Sequence, residues 1–122
     1  MIPHSRAFEV HAQLLKALSH PARIAILYIL KDGEHCVCHI TARLGLRQAY
    51  ISQQLAVLRE SGIILDRRDG WNIYYRVVDP QIFEIFDVVQ RITGVQIPDI
   101  NQTGFVCTCP KCLAEQERLG AG

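Results

Sequence analysis

Residues 45–78 read GLRQAYISQQLAVLRESGIILDRRDGWNIYYRVV, and this stretch decides the fold. Apolar residues recur at Ile51, Leu55 and Leu58, which is the spacing of a helix that is buried along one face. Gly45 lies shortly before this helix and indicates a tight turn after the preceding helix. Two helices joined by such a turn are typical of a helix-turn-helix, whose second helix enters the major groove of DNA.

The predicted reading helix covers residues 48–61, and its other face is polar. Glutamine can form two hydrogen bonds to N6 and N7 of adenine, so a glutamine-rich face suits a helix that reads bases. The alternative is an ordinary solvated helix face. We predict DNA contacts along this exposed face and just before it, from Arg47, Gln48, Tyr50, Ser52, Gln53 and Gln54.

The rest of the stretch predicts a β-hairpin. Residues 63–68 and 71–78 are rich in β-branched and aromatic side chains, and between them lies Asp69-Gly70, a dipeptide suited to a type I′ turn. A hairpin in this position is the wing of a winged helix-turn-helix. We predict that the wing contacts the DNA backbone or minor groove, against the alternative of a solvated hairpin tip, through Arg67, Arg68 and Trp71.

The positive charge is concentrated in the middle of the chain. The formal net charge of the 122 residues is only +1, but residues 43–76 contain six arginines against three acidic residues. Residues 81–122 contain three basic and five acidic residues. A basic middle segment suits DNA binding. The chain has no run of about 20 apolar residues and does not start with an apolar stretch, so we expect a cytoplasmic protein that stays out of the membrane.

Further helices are predicted on both sides, so the fold class is mainly α with a β-hairpin wing. They cover residues 5–18, from Pro21 to Asp32-Gly33, residues 35–44, and from Asp79-Pro80 to Gly94. The last helix is apolar over more than one narrow stripe, through Ile82, Phe83, Ile85, Phe86, Val88, Val89 and Ile92. This is more than packing on one side needs, so we predict a homodimer through the first and last helices. The winged-helix domain is predicted over residues 1–94 and a cysteine-rich tail over residues 95–122.

Five cysteines in a cytosolic chain indicate metal binding or redox sensing, because that compartment keeps thiols reduced. Residues two apart on a regular helix point about 200° away from each other, so Cys36 and Cys38 can share an ion only from the start of the third helix. The tail cysteines, Cys107, Cys109 and Cys112, can chelate one ion by themselves or complete a site begun by the first pair. The alternatives are small buried side chains for the first pair and a reducing, disordered tail for the others.

The order of helices and wing is accompanied by three characteristic segments, Leu18-Ser19-His20-Pro21-Ala22-Arg23, Cys36-Val37-Cys38 and Ser52-Gln53-Gln54-Leu55. Over roughly residues 8–92 the chain therefore resembles the ArsR/SmtB family of metal-responsive repressors. The resemblance implies a homodimer that binds double-stranded operator DNA and releases it when an ion binds the cysteine thiolates. Thiolates are soft ligands, so we predict As(III) or Sb(III), with Cd, Pb or Zn as alternatives.

The chain departs from the family pattern at three places. Arsenic-responsive members often have a third cysteine where this chain has Thr41, so we predict that the tail supplies the third thiolate. The reading helix has Arg47 and Gln54 where the family usually has Ser and His, which leaves the operator sequence open. The last helix lacks the Asp, His and Glu ligands of the zinc sensors, so no site is expected there.

Two other functions are compatible with the thiols. One is a redox-sensing repressor of the same fold, in which cysteine oxidation is the signal. The other is a thiol oxidoreductase using Cys109-Pro110-Lys111-Cys112, but that chemistry expects the motif at a helix N-terminus near the start of the chain. We therefore predict that the protein is not an enzyme. Possible extra ligands, each predicted instead as a surface or capping residue, are His4, His11, His35 and His39.

Overall fold

The computed structural model describes residues 5–101, and helices account for most of them. In chain order the elements are α1 Ser5–Leu18, α2 Pro21–Ile29, a 3-10 turn Leu30–Asp32, β1 His35–Cys36, α3 Val37–Leu44, α4 Gln48–Glu60, β2 Ile64–Asp69, β3 Asn72–Val77 and α5 Ile82–Thr93. The arrangement is a winged helix-turn-helix, with α3 and α4 as the two helices of the motif and β2 and β3 as the wing. The predicted fold class is thus confirmed.

The wing belongs to a three-stranded antiparallel sheet in the order β1-β3-β2. β1 pairs with β3 through His35 with Tyr75 and Cys36 with Tyr74. The prediction that the third helix starts at residue 35 was therefore wrong, because Cys36 has extended backbone and α3 begins at Val37. β1, which carries Cys36, therefore shares one sheet with the wing.

The turn of the wing lies one residue later than predicted. Asp69 pairs with Asn72, so the connecting residues are Gly70 and Trp71 rather than Asp69-Gly70. Gly70 has a φ of 62°, in the left-handed region that glycine adopts without a steric penalty. Trp71 is consequently presented at the tip of the hairpin, where its side chain is fully exposed.

The core fixes the reading helix α4 in place. Ile51, Leu55 and Leu58 are each no more than 1% exposed, as their helical spacing predicted. They pack in one cluster with apolar residues of the other elements, including Ile26, Leu27, Ile29, Ile40, Ile64, Phe83 and Phe86. Within residues 5–101, no helix is long and apolar enough to cross a membrane.

Two helices keep much of their apolar surface outside this core. α1 buries only Ala17 and Leu18, and α5 buries Ile82, Phe83 and Phe86. Their remaining apolar side chains are exposed, namely Phe8, Val10, Leu14, Leu15, Val88, Val89 and Ile92. The two helices border a common cleft, which Leu14 of α1 and Val88 of α5 both line.

Candidate nucleic-acid interface and thiol site

Six of the predicted DNA-contacting residues lie on or just before α4, and four of these six are exposed. Gly45 ends α3 with a φ of 65°, and its N–H donates to the carbonyl of Thr41 at 2.8 Å, which closes the turn of the motif. Beyond the turn, Arg47 is exposed just before α4. Three polar side chains of α4 are exposed as well, Gln48, Ser52 and Gln53. Their contact with DNA stays a prediction, but the structure leaves them accessible.

The prediction that Gln54 lies on the exposed face was wrong. Gln54 is only 9% exposed, and its Oε1 accepts a hydrogen bond from Arg23 Nη1 at 2.9 Å. Arg23 also donates through Nε to the carbonyl of Ala17 at 2.6 Å, so it links the end of α1 to α4. Helical geometry explains the burial, because Gln54 lies three residues after Ile51 and four before Leu58, on the buried face.

Tyr50 is half-buried and is held by His20. The Tyr50 hydroxyl lies 3.3 Å from His20 Nε2, while His20 Nδ1 accepts from the backbone N–H of Ala22 at 3.1 Å. Since Nδ1 accepts, a neutral His20 ring carries its proton on Nε2 and donates it to the Tyr50 oxygen. The first turn of α2 and the first turn of α4 are joined through this one histidine.

The two arginines of the wing have different surroundings. Arg67 donates to both carboxylate oxygens of Glu34, at 2.6 and 3.1 Å, and its guanidinium lies 4.9 Å from the centre of the Tyr74 ring. The hydrogen bonds to Glu34 are the main reason that the pKa of Arg67 is raised. Arg68 is exposed and points to the opposite face of the sheet, because side chains alternate along a strand. Both arginines lie close to the tip of the wing, which carries Trp71.

Two tyrosines near these elements remain neutral in the physiological range. Burial raises the pKa of the Tyr75 phenol, and the Asp66 carboxylate raises it further. Burial likewise raises the pKa of Tyr28, with a smaller contribution from Asp87. Neither phenol therefore supplies a negative charge that would oppose DNA.

Cys36 and Cys38 form a disulfide bond at the start of α3, with their Cα atoms 5.4 Å apart. Cys36 ends β1 and is 2% exposed, whereas Cys38 lies in the first helical turn and is exposed. The helix start is where the two sulfurs can meet, as the spacing required. Between Ser5 and Asn101, no group of three or more His, Cys, Asp or Glu residues is arranged to hold a metal ion.

Two of the histidines beside the cysteines are not surface residues. His35 and His39 are 6% and 7% exposed, and their rings stack with centroids 3.8 Å apart and planes 9° from parallel. His35 Nε2 lies 2.9 Å from Asp32 Oδ1. Their prediction as surface or capping residues was wrong, whereas His11 is exposed; His4 and the tail cysteines, Cys107, Cys109 and Cys112, lie outside the described residues.

Residues 95–101 return from α5 to the helix that carries Cys38. The Asn101 carbonyl accepts from Arg43 Nη2 at 2.7 Å, and the Asn101 side chain donates to the carbonyl of Tyr28 at 3.2 Å. Closer to α5, the N–H of Ile97 donates to Gln90 Oε1 at 2.8 Å. The chain therefore passes beside α3 immediately before the cysteine-rich segment. No local sequence signal announces these long-range contacts.

The chain matches known regulators across its winged-helix region. A family model described as "Bacterial regulatory protein, arsR family" matches residues 20–65. The Biofilm growth-associated repressor of Agrobacterium fabrum is 42% identical over 87 residues, covering 71% of this chain and 74% of that protein. The Arsenic resistance transcriptional regulator ArsR1 of Pseudomonas putida is 43% identical over 100 residues, covering 81% of this chain and 74% of that protein.

A solved structure gives the same architecture. The homodimeric winged helix-turn-helix DNA-binding domain of Mb0332 from Mycobacterium bovis, a possible ArsR-family regulator, superimposes with a TM-score of 0.65 at 28% identity, covering 77% of this chain and 88% of that one. The matching model and relatives are regulators and repressors, which confirms the prediction that the chain is not an enzyme.

Proposed function

Since the chain belongs to the ArsR family of bacterial regulatory proteins, we propose that it is a homodimeric transcriptional repressor that releases operator DNA when As(III) or Sb(III) binds its cysteine thiolates. The observation that carries this proposal is the position of Cys36 and Cys38. They join β1, which pairs with the wing, to α3, which packs on the reading helix. An ion that binds there acts on both DNA-contacting elements.

The DNA surface proposed for each subunit consists of α4 and the wing. Exposed glutamines on α4 supply hydrogen bonds to base edges, and the wing arginines and Trp71 reach the backbone or the minor groove. The residues proposed for these contacts are Arg47, Gln48, Tyr50, Ser52, Gln53, Arg67, Arg68 and Trp71, with Gln54 now assigned to the support of the helix. A homodimer doubles the basic surface.

The dimer is proposed to form through α1 and α5. The apolar side chains that these helices leave exposed are suited to burial against a second copy. The relative from Mycobacterium bovis is described as homodimeric with the same architecture, which supports the proposal. Two-fold dimers of helix-turn-helix proteins bind two half-sites, so a dimer through this face is expected to pair the two α4 helices on one operator.

The described part of the ion site consists of two sulfurs, and both must be thiolates to bind an ion. The Cys36–Cys38 bond therefore has to be reduced by cellular thiols before the ion enters. Two sulfurs that already meet at a helix start supply two of the three ligands of a pyramidal As(III) or Sb(III) site. Cd, Pb and Zn are the alternatives, and a fourth sulfur would favour tetrahedral Zn or Cd.

The tail is proposed to supply the remaining thiolate. Five residues separate Asn101 from Cys107, and the six extended steps between their Cα atoms span ~20 Å. The rise along α3 from Arg43, which binds Asn101, to Cys38 is only ~8 Å. Cys107, Cys109 and Cys112 are thus within reach of Cys38 of the same subunit. Thr41 has no thiolate to offer a thiophilic ion, and its hydroxyl donates to the carbonyl of Val37 at 2.8 Å.

The test is a titration of DNA binding with As(III), Sb(III), Cd, Pb and Zn on the reduced protein. The DNA is a site selected from random sequence by the wild-type protein. We expect the ion to release DNA from the wild type but not from the variant with Cys36→Ser and Cys38→Ser. Both proteins should bind DNA equally without ion. If the double variant fails to bind DNA without any ion, the cysteines are structural and the proposal fails.

A second candidate signal is oxidation, and the Cys36–Cys38 disulfide favours it. Here a hydroperoxide takes two electrons and two protons from the thiols, forming the disulfide together with water and an alcohol. The two signals are separated by treating the reduced protein with either hydrogen peroxide or As(III). Release of DNA together with the loss of two hydrogens by mass supports redox sensing. Release with one bound ion per site and intact thiol mass supports metalloid sensing.

A further inference from the structure

One row of paired side chains crosses the sheet from Cys36 on β1 to the wing. Cys36 on β1 pairs with Tyr74 on β3, and Tyr74 pairs with Arg67 on β2. Directly paired residues of antiparallel strands point to the same face of a sheet. The Cys36 and Tyr74 side chains are both buried, and the Arg67 guanidinium lies over the Tyr74 ring. Arg67 is therefore the solvent end of a row that begins at the cysteine.

The Glu34 carboxylate also binds the Arg67 guanidinium. Glu34 lies two residues before Cys36, and its carboxylate accepts two hydrogen bonds from Arg67, at 2.6 and 3.1 Å. Asp69 is more distant, with Oδ2 3.8 Å from Arg67 Nη1. The paired contact with Glu34 is the arrangement that a guanidinium also makes with a phosphate. Arg67 cannot make both paired contacts at once with the same nitrogens.

We propose that Glu34 takes the place of a DNA phosphate at Arg67 and so couples the state of Cys36 and Cys38 to the DNA affinity of the wing. The signal in this inference rests on the proposed ion sensing, and the competition rests on the proposed contact of the wing with DNA phosphate. When the two sulfurs are held together, by a bond as here or by a shared ion, the short segment from Glu34 to Cys36 stays on the sheet edge and Glu34 keeps Arg67. When the sulfurs are separate, the segment loosens and Arg67 is available to DNA.

The competition is tested by a double-mutant cycle on the ion-free protein with the Cys36–Cys38 bond formed, because Glu34 holds Arg67 in this state. Glu34→Gln keeps the size of the side chain but removes its charge, and should raise DNA affinity by up to about fivefold, the range of an exposed ion pair. It should also steepen the dependence of log K on log salt by about 0.9, the value for one added phosphate contact. In the Arg67→Ala background, Glu34→Gln should change neither quantity.

The cycle separates competition from a general charge effect. If Glu34→Gln raises affinity equally with and without Arg67, the loss of any negative charge near DNA explains the result and the inference is overturned. The same conclusion follows if Glu34→Gln leaves affinity and salt dependence unchanged. Arg68→Ala is the matched control background, since Arg68 points to the other face and should leave the effect of Glu34→Gln intact.

The coupling is tested by adding As(III) to the wild type and to Glu34→Gln. Both should bind the ion, as followed by the near-ultraviolet absorption of arsenic–thiolate bonds, but Glu34→Gln should lose DNA affinity by a smaller factor. An equal loss in the two proteins would show that Glu34 does not carry the signal. If As(III) leaves wild-type DNA binding unchanged, the proposed function fails instead, while the ion-free cycle still decides the competition.

Discussion

Gln53 and Gln54 are neighbours in sequence with opposite surroundings, which separates two roles of the same side-chain type on α4. Gln53 is exposed on the outer face, whereas Gln54 is buried and accepts from Arg23. Arg23 in turn holds the carbonyls of Lys16 and Ala17 at the end of α1. We therefore expect a change at Gln53 to act on DNA recognition and a change at Gln54 to act on the packing that supports α4.

We expect Gln54→Ala to lower the free energy of unfolding by about 1–3 kcal/mol, because Nη1 of the partly buried Arg23 guanidinium loses its acceptor. Gln53→Ala should leave stability unchanged and relax discrimination at one base pair, at a cost of roughly 1–3 kcal/mol on the selected site. Urea unfolding and binding to single-base variants of the site measure the two effects. Equal losses of Gln53→Ala on selected and random DNA would argue against base reading by this residue.

At the scale of elements, local patterns predicted what local forces determine. Helical spacing gave α4 and its buried face, and β-branched residues gave both strands of the wing within one residue of their ends. β1 was not predictable in this way, because a strand of two residues has no period and exists only through pairing with β3. Helical geometry places Gln54 on the buried face of α4, but its polar side chain was expected to face solvent.

The turn between α3 and α4 depends on the left-handed conformation of Gly45. A Cβ at this position would have no heavy atom within 4 Å, so substitution costs backbone strain and not a steric clash. We expect Gly45→Ala to destabilise the protein by about 1–2 kcal/mol. Gly45→Asn should recover part of this loss, since asparagine tolerates the left-handed region better. Urea denaturation of the three proteins checks the order, and an alanine variant as stable as wild type would contradict it.

At the scale of the whole molecule, a single chain buries its core but leaves apolar side chains of α1 and α5 exposed to solvent. None of the exposed apolar side chains of α1 and α5 belongs to α4, so the proposed dimer contact and the proposed base contacts are made by different helices. Arg23 connects the two, because it binds both the end of α1 and Gln54 on α4. The position of the reading helix is therefore tied to the helix proposed to meet the partner.

We expect Ile92→Asp to weaken dimerisation by about tenfold or more, because each copy would place a charge in a contact worth roughly 1.5–3 kcal/mol per buried apolar side chain. Ile92 is 78% exposed in the single chain, so the fold of the monomer should be unaffected. Leu65→Asp is the control, since Leu65 is also exposed but lies on the wing. Sedimentation velocity measures the shift, and an unchanged dimer would exclude this face.

The role of the cysteine-rich tail is tested by removing residues 106–122. Because Cys36 and Cys38 provide only two thiolates, the truncated protein should still bind DNA but lose most of its affinity for As(III) and its release response. The matched control is full-length protein with Cys107→Ser, Cys109→Ser and Cys112→Ser, which should behave in the same way. Release at normal ion concentrations by either variant would show that the tail is dispensable.

Heterodimers then determine which subunit supplies the third thiolate. One subunit carries Cys36→Ser and Cys38→Ser, and the other lacks residues 106–122, so no single chain retains a complete site. Because Arg43 holds Asn101 beside the helix that carries Cys38, the chain enters the tail close to its own cysteine pair. We therefore expect no high-affinity As(III) binding by the purified heterodimer. Binding at half the stoichiometry of the wild-type dimer would instead mean that the tail crosses to the partner. Retention of As(III) by the homodimer with Cys36→Ser and Cys38→Ser would mean that the three tail cysteines form a site of their own.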